Sequence, residues 1–290
     1  MGLGDFFKKT FGKQVCAFCG NEVGMLKRTK IKNDEFICND CAYGCSQYIQ
    51  KYRFTKDELL GHMEYMKRQD ALYEMIREEV TDVIPTATNK QSIEFYDNHG
   101  MFRIRDQSVD NKPWKKEMFR YDQVAKYEPY LEEGEPDEPG KPKVFGECGV
   151  DITLVGARDD MGDLRKGLRA HPHVEETIRV CLNNRDKHIG ELEVNQVISH
   201  FDFIFGVNDN QKGLFSFGPT KQQKREGEAL KAMGSMFGAA IKAAKTGEVP
   251  ADAEAIAADA MKKVDDAATG GLAKYSRLAD EAEEKAWGKE

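Results

Sequence analysis

Five of the chain's seven cysteines fall within thirty residues, in "CAFCGNEVGMLKRTKIKNDEFICNDCAYGC", Cys16 to Cys45. Two residues lie between Cys16 and Cys19 and two between Cys38 and Cys41, with eighteen residues between the pairs. That is the spacing of a four-thiolate zinc ribbon or knuckle. Tetrahedral Zn²⁺ takes sulfur ligands at about 2.3 Å, and a two-residue gap lets one tight turn aim both thiolates at a single point. Gly20, directly after Cys19, suits the left-handed backbone of such a turn. A segment this short cannot bury an adequate core, so one structural Zn²⁺ on Cys16, Cys19, Cys38 and Cys41 is expected to hold it. Cys45 is the competing fourth ligand. We prefer Cys41 and expect Cys45 to pack at the start of the next helix.

Other thiol chemistry fits less well. An odd cysteine count, paired Cys-x-x-Cys spacings and no secretory signal point to a reducing cytoplasm rather than a disulfide framework. No βαβ pattern surrounds either pair, as a thioredoxin-like redox centre would require. Phe6 stands where N-myristoylation wants Ser or Thr.

No phosphate-binding loop, nucleophile elbow or His-Glu-x-x-His motif occurs. Cys148 in "GECGV" and His171 and His173 in "AHPHVEE" are the residues a Cys/His nucleophilic pair would use. A strand start and an exposed turn around Pro172 account for them more simply. Asp159 and Asp160 lack the spacing and closing glutamate of a calcium loop. We therefore expect no enzyme.

The basic residues are concentrated at one end. Residues 1–32 hold Lys8, Lys9, Lys13, Lys27, Arg28, Lys30 and Lys32 against Asp5 and Glu22, in a chain of formal net charge -7. The hairpin residues Lys27, Arg28, Lys30 and Lys32 could meet phosphates or a partner. Few aromatics accompany them for base stacking.

The elements that must position these residues follow from periodicity. A chain of 290 residues suggests about two domains. Residues 1–13 form a short amphipathic segment, with Phe6, Phe7 and Phe11 near one helical face and lysines beside them. The ribbon spans 14–46, with a hairpin of Met25–Ile31 and Glu35–Ile37 turning at Asn33 and Asp34. A helical connector occupies 47–87. Its helix, 55–83, starts at a Thr55/Glu58 capping box, carries an interrupted stripe from Leu59 to Val80, and ends before Pro85.

From 88 to 218 the period shortens to that of strands. "SIEFYDNHGMFRIR" reads as a hairpin with Gly100 in its turn, and "VDITLVGA" and "ETIRVCLNN" read as further strands. Residues 135–143 read as a loop and 212–218 as a strand or loop. Val194–Phe205 reads as a helix burying Val197, Ile198, Phe201 and Ile204. Strands followed by one amphipathic helix predict an α+β module, a small curved sheet or barrel closed by that helix.

Residues 219–290 read as a helical tail, 221–246 and 251–287, broken again near 268–271. Leu230, Met233, Phe237 and Ile241 line one face, and Gly234 and Gly238 make a Gly-x-x-x-Gly step. The face would either pack at home or dock on a partner helix or an anionic membrane.

The stretch from "MGLGDFFKKTFGK" through "ICNDC" resembles an uncharacterised bacterial family of N-terminal zinc ribbons, over residues 1–45. Shared features are the Cys-x-x-Cys-Gly start, a Gly-[Leu/Met]-Leu stretch, a lysine-bearing hairpin and an Ile-Cys-x-x-Cys end. Such ribbons often precede a bacterial pleckstrin-homology-like (PH-like) domain. Residues 90–218, around "FRYDQVAKYEPYLEEG", resemble one in strand order. The family implies metal binding and no activity.

The resulting expectation is an α+β multidomain, cytoplasmic, non-enzymatic zinc-binding adaptor or scaffold. It would bind a protein partner or a membrane surface through its PH-like domain and helical tail, with homo-oligomers also compatible. The alternative is a nucleic-acid-associated ribbon protein using residues 27–32.

Overall fold

The computed structural model describes residues 12–85, 91–110, 112, 115–134, 144–156, 167–174, 177–206, 227–237, 252–268 and 271–288. Residues 1–11 of the segment expected over 1–13, the loops over 135–143 and 159–160, and the stretch 212–218 lie outside them.

The ribbon is two short hairpins. β1 (Gln14–Val15) pairs with β2 (Glu22–Val23), and β3 (Arg28–Lys30) with β4 (Phe36–Cys38). Asn33 (φ 63°) and Asp34 (φ 60°) make the second turn, the left-handed backbone that asparagine and aspartate tolerate best. A one-turn helix, α1 (Asn39–Ala42), follows Cys38.

α2 (Lys56–Ile76) starts at the expected capping box: Thr55 Oγ1 accepts the Glu58 N–H, and Glu58 Oε2 accepts the Thr55 N–H at 2.7 Å. It ends earlier than the apolar stripe implied. Residues 77–79 tighten into a 3₁₀ turn, and Asp82–Ile84 become strand β5. The stripe's later members did not distinguish helix from strand, because an exposed Val80 and a half-buried Val83 fit either period.

Two antiparallel meanders form the body. β5, β6 (Gln91–Tyr96), β7 (Met101–Asp106) and β8 (Met118–Arg120) lie in that order; β9 (Val124–Gly134), β10 (Val144–Leu154) and β11 (Thr177–Asn183) make the second sheet. The Gln91 side chain links the sheets by accepting the Cys181 N–H at 2.8 Å. α3 (Lys187–Phe205), capped by Asp186, contacts β5, β9, β10 and β11. Its Phe201 is fully buried among Phe95, Phe102, Tyr121, Tyr127 and Phe205. Gly190 lets the helix lie down, since a Cβ there would sit 2.3 Å from Cys148 Sγ.

The C-terminal part is helical over 227–237, over α4 (Ala253–Ala268) and over α5 (Leu272–Trp287), with the break near 268–271 where expected. α5 is no free tail. It packs against α2 through Ala279 and Ala282 and against the body through Leu272 and Tyr275, all four buried, and Trp287 Nε1 donates to the Arg68 carbonyl at 2.9 Å. Arg120, itself buried, pairs with Asp122 of the body and with Asp280 and Glu283 of α5. Gly100 (φ 62°) fits under the Tyr275 carbonyl, which a Cβ would meet at 2.0 Å. The ribbon joins the same apolar core through Ile31, Ile37, Cys45 and Ile49, which cluster with Leu59 and the sheets.

Candidate metal centre

The two hairpins and α1 bring four sulfurs together. The Sγ atoms of Cys16, Cys19, Cys38 and Cys41 all lie within 4.8 Å of one another. Cys19 and Cys38 Sγ are 3.8 Å apart. Two sulfurs on a tetrahedral ion at the zinc–thiolate bond length would stand about 3.8 Å apart. The donor set is four thiolates, the chemistry of a closed structural zinc site, so the residues fit the ion.

The turns supply the remaining ingredients. Gly20 adopts φ +73° and donates its N–H to the Cys16 carbonyl at 2.9 Å, closing the first knuckle. The Cys38 N–H points at Cys16 Sγ (3.2 Å) and the Cys41 N–H at Cys38 Sγ (3.4 Å). Burial pushes the Cys16 thiol up, but N–H donors of Cys19, Cys38 and Phe18 outweigh it and bring it down to about 6. Burial holds the Cys38 and Cys41 thiols above their ordinary value; neighbouring thiols add to the effect at Cys41, whereas at Cys38 the Cys41 N–H and thiol work against it. One thiolate forms readily; four so close together require a cation. Cys45 stands outside the cluster, fully buried, with its thiol pushed up by burial.

The basic hairpin is partly used at home. The Arg28 guanidinium lies 4.7 Å from the Phe36 ring centroid and donates to the Gly12 carbonyl at 2.6 Å. Lys30 pairs with Asp34 at 2.5 Å. Lys27 and Lys32 are exposed and make no ion pair among the described residues.

On the helix 227–237, Ala229 and Ala232 are the buried positions. Leu230 and Phe237 are 65% and 62% exposed, and Met233 is half-buried. Nothing lies within 4 Å of a Cβ built on Gly234, so no close backbone approach occurs there. Gly238 and Ile241 lie outside the described residues.

The histidines depart most from expectation. His171 is fully buried rather than in an exposed turn, because its ring replaces a backbone acceptor: Nδ1 takes the N–H groups of His173 (3.2 Å) and Val174 (2.9 Å). Its other nitrogen faces Tyr65 OH at 3.2 Å and Glu117 Oε1 at 3.9 Å. His62 of α2, also fully buried, accepts the Ser46 N–H on Nε2 at 2.9 Å, and Ser46 Oγ donates to Glu117 Oε2 at 2.5 Å.

His62 Nδ1 and Glu117 Oε1 have no hydrogen-bond partner among the described residues. Burial lowers His62 to about 2 and His171 to about 3, and raises Glu117 to about 7. Both rings keep their protons on the nitrogens a metal would need, and no second metal-ligating cluster occurs among the described residues. The seam is a polar weld between the end of the ribbon, α2 and the body. A polar residue at an α2 core position, His62 or Gln69, was its sequence signal. Cys148 lies elsewhere, under Gly190, with its thiol pushed up by burial.

A family model described as a domain of unknown function, DUF4428, matches residues 14–62. It covers the ribbon, the Ser46 linker and α2 as far as His62. No curated protein and no solved structure matches the chain. Among the described residues, no helix is long and apolar enough to cross a membrane.

Proposed function

We propose that the protein is a non-enzymatic adaptor, in which a zinc-held ribbon is welded to a PH-like body that presents a docking face. The observation that carries this reading is the closed donor set. Four cysteine sulfurs around one point leave no open coordination position for substrate or water, which marks a structural rather than a catalytic metal. The succession of four strands, three strands and a helix supports the PH-like reading of the body.

The docking face is the cleft of about 620 Å³ between β5 and α3, lined by Asp82, Val83, Leu192, Asn195, Ser199 and His200. β5 is the sheet's edge strand, and Leu192 is exposed, so the cleft mixes backbone edge, apolar surface and carboxylate. A protein partner fits this better than nucleic acid, which the acidic lining repels.

The test is cross-linking of zinc-loaded wild type and of Leu192→Arg in the native cell, with identification of the adducts. Partners captured by wild type and lost from the folded variant support the adaptor reading. Identical adduct sets would remove the cleft from it.

A further inference from the structure

His200 of α3 is fixed from two sides. Its ring stacks on Phe95 of β6 with centroids 3.8 Å apart, and its Nε2 bonds Asp97 Oδ1 at 3.0 Å. Tyr121 OH donates to the same oxygen at 2.5 Å. A ring nitrogen that faces a carboxylate oxygen donates its proton, so Nδ1 carries the lone pair. That nitrogen stands 3.9 Å from Asp82 Oδ2, and both residues line the cleft between β5 and α3. Asp82 is pinned as well, because its Oδ1 accepts the Val83 N–H at 2.8 Å. At 3.9 Å the nitrogen and Oδ2 are too far apart to bond each other. The cleft therefore holds two fixed acceptors side by side.

Charge complementarity selects what they accept. The described residues lining the cleft include the carboxylates of Asp82 and Glu193 and no lysine or arginine. The complement is a cation with more than one donor hydrogen. A tetrahedral ammonium reaches two such acceptors from one nitrogen, at about 2.8 Å to each. A guanidinium instead matches the paired oxygens of a single carboxylate. Leu192 lines the same cleft and is 64% exposed. It lies eight residues before His200, about 12 Å along the helix axis. An extended chain covers that distance in about four residues, and strand residues four apart point to the same side.

We infer that the cleft recognises an extended segment of its partner carrying a lysine and, four residues away, an aliphatic side chain. The ammonium bridges Asp82 Oδ2 and His200 Nδ1, and the aliphatic group covers Leu192. This rests on the adaptor reading and names the chemistry that its cleft selects.

The test uses the full-length, zinc-loaded protein with ¹³C-labelled histidine, whose six imidazoles are followed by nuclear magnetic resonance. His200→Gln identifies the His200 signal. The probe is the capped peptide Leu-Thr-Thr-Thr-Lys-Thr-Thr-Thr-Leu, which offers the spacing in both chain directions. It should shift the wild-type His200 signal saturably, and norleucine in place of lysine should bind about tenfold or more weakly. Asp82→Asn, which keeps an acceptor for Val83, should weaken the lysine peptide about fivefold or more. Leu192→Arg should weaken it about tenfold or more. Zinc content and circular dichroism should be unchanged in both, because both side chains are at least half exposed. No saturable shift in wild type overturns the inference. So does equal binding of the norleucine peptide, tighter binding of an arginine counterpart, or binding that Asp82→Asn leaves unchanged. In the cross-linking test, adducts lost from Leu192→Arg but retained by Asp82→Asn would keep the cleft as the docking face and remove the lysine. Adducts retained by both would remove the cleft itself.

Discussion

Arg120 of β8 and Glu283 of α5 are paired at 2.6 Å across 163 residues of sequence, with the guanidinium almost wholly buried. The same guanidinium bonds Asp122 and Asp280 and the Ser276 carbonyl. Its charge is neutralised partly by the body and partly by the last helix, so the helix belongs to the stability of the body.

Deleting residues 271–290 should therefore destabilise what remains. It strips two carboxylates from a buried cation and exposes the seats of Leu272 and Tyr275. We expect a loss of about 3–5 kcal/mol in urea unfolding, enough for a marginal domain to aggregate. An unchanged urea midpoint in the truncated protein would show that α5 contributes nothing to the core.

The metal centre predicts one zinc per chain. Cys16→Ser, Cys19→Ser, Cys38→Ser and Cys41→Ser should each lose it, and Cys45→Ser should keep it. Structural zinc contributes about 10–16 kcal/mol in isolated ribbon peptides, so the ribbon should unfold on chelation. The strand signal of the body should persist, but at a lower melting temperature, because Ser46 and Ile49 leave its seam. Metal analysis with circular dichroism of each variant checks both parts.

How much of this was legible beforehand follows from what each element depends on. Cys16, Cys19, Cys38 and Cys41 were readable because ligand spacing is local chemistry. The capping box at Thr55, the turn at Gly100 and the helix around Phe201 were readable because they rest on local hydrogen bonds or a 3.6-residue period. His62, His171 and Glu117 were not. Polar residues read as surface, and only the fold shows that a ring nitrogen stands in for a backbone acceptor. The docking of α5 was hidden for a similar reason: Asp280 and Glu283 look like a solvated face until Arg120 is placed under them.

The polar seam makes stability depend on pH, with two opposed terms. His62 and His171 have folded pKa values depressed to about 2 and about 3, so their contribution is complete above the unfolded value near 6.5 and is lost as pH falls. At pH 5 each costs about 2 kcal/mol. Glu117 is raised to about 7, so its contribution is complete below the unfolded value near 4.5 and is lost as pH rises through 7. Between pH 7 and 5 it returns about 2 kcal/mol, offsetting one histidine. Lys51 and Lys115 add positive potential at His62 and reinforce the acid limb. Stability should be highest near pH 7 and fall on the acid side. His171→Asn, which keeps an acceptor for the two N–H groups, should flatten that limb by about 2 kcal/mol at pH 5. Urea midpoints against pH, with a chromophoric chelator marking where zinc leaves, distinguish the seam from the metal.

The contact of Gly190 with Cys148 separates packing from chemistry at the last cysteine outside the ribbon that sequence reasoning singled out. A methyl group on Gly190 would stand 2.3 Å from Cys148 Sγ and 2.9 Å from the Asn183 Cβ, so α3 must lift from β10 and β11. Gly190→Ala should cost about 1–3 kcal/mol by overpacking. Cys148→Ala, which clears the sulfur, should recover part of that loss in the double variant. Phe201→Ala on the same helix should cost about 3–5 kcal/mol, because five aromatic rings close on it. A double-mutant cycle of Gly190→Ala with Cys148→Ala gives the measurement. Strict additivity would mean that the two side chains do not meet and that α3 is seated by Phe201 and its neighbours alone.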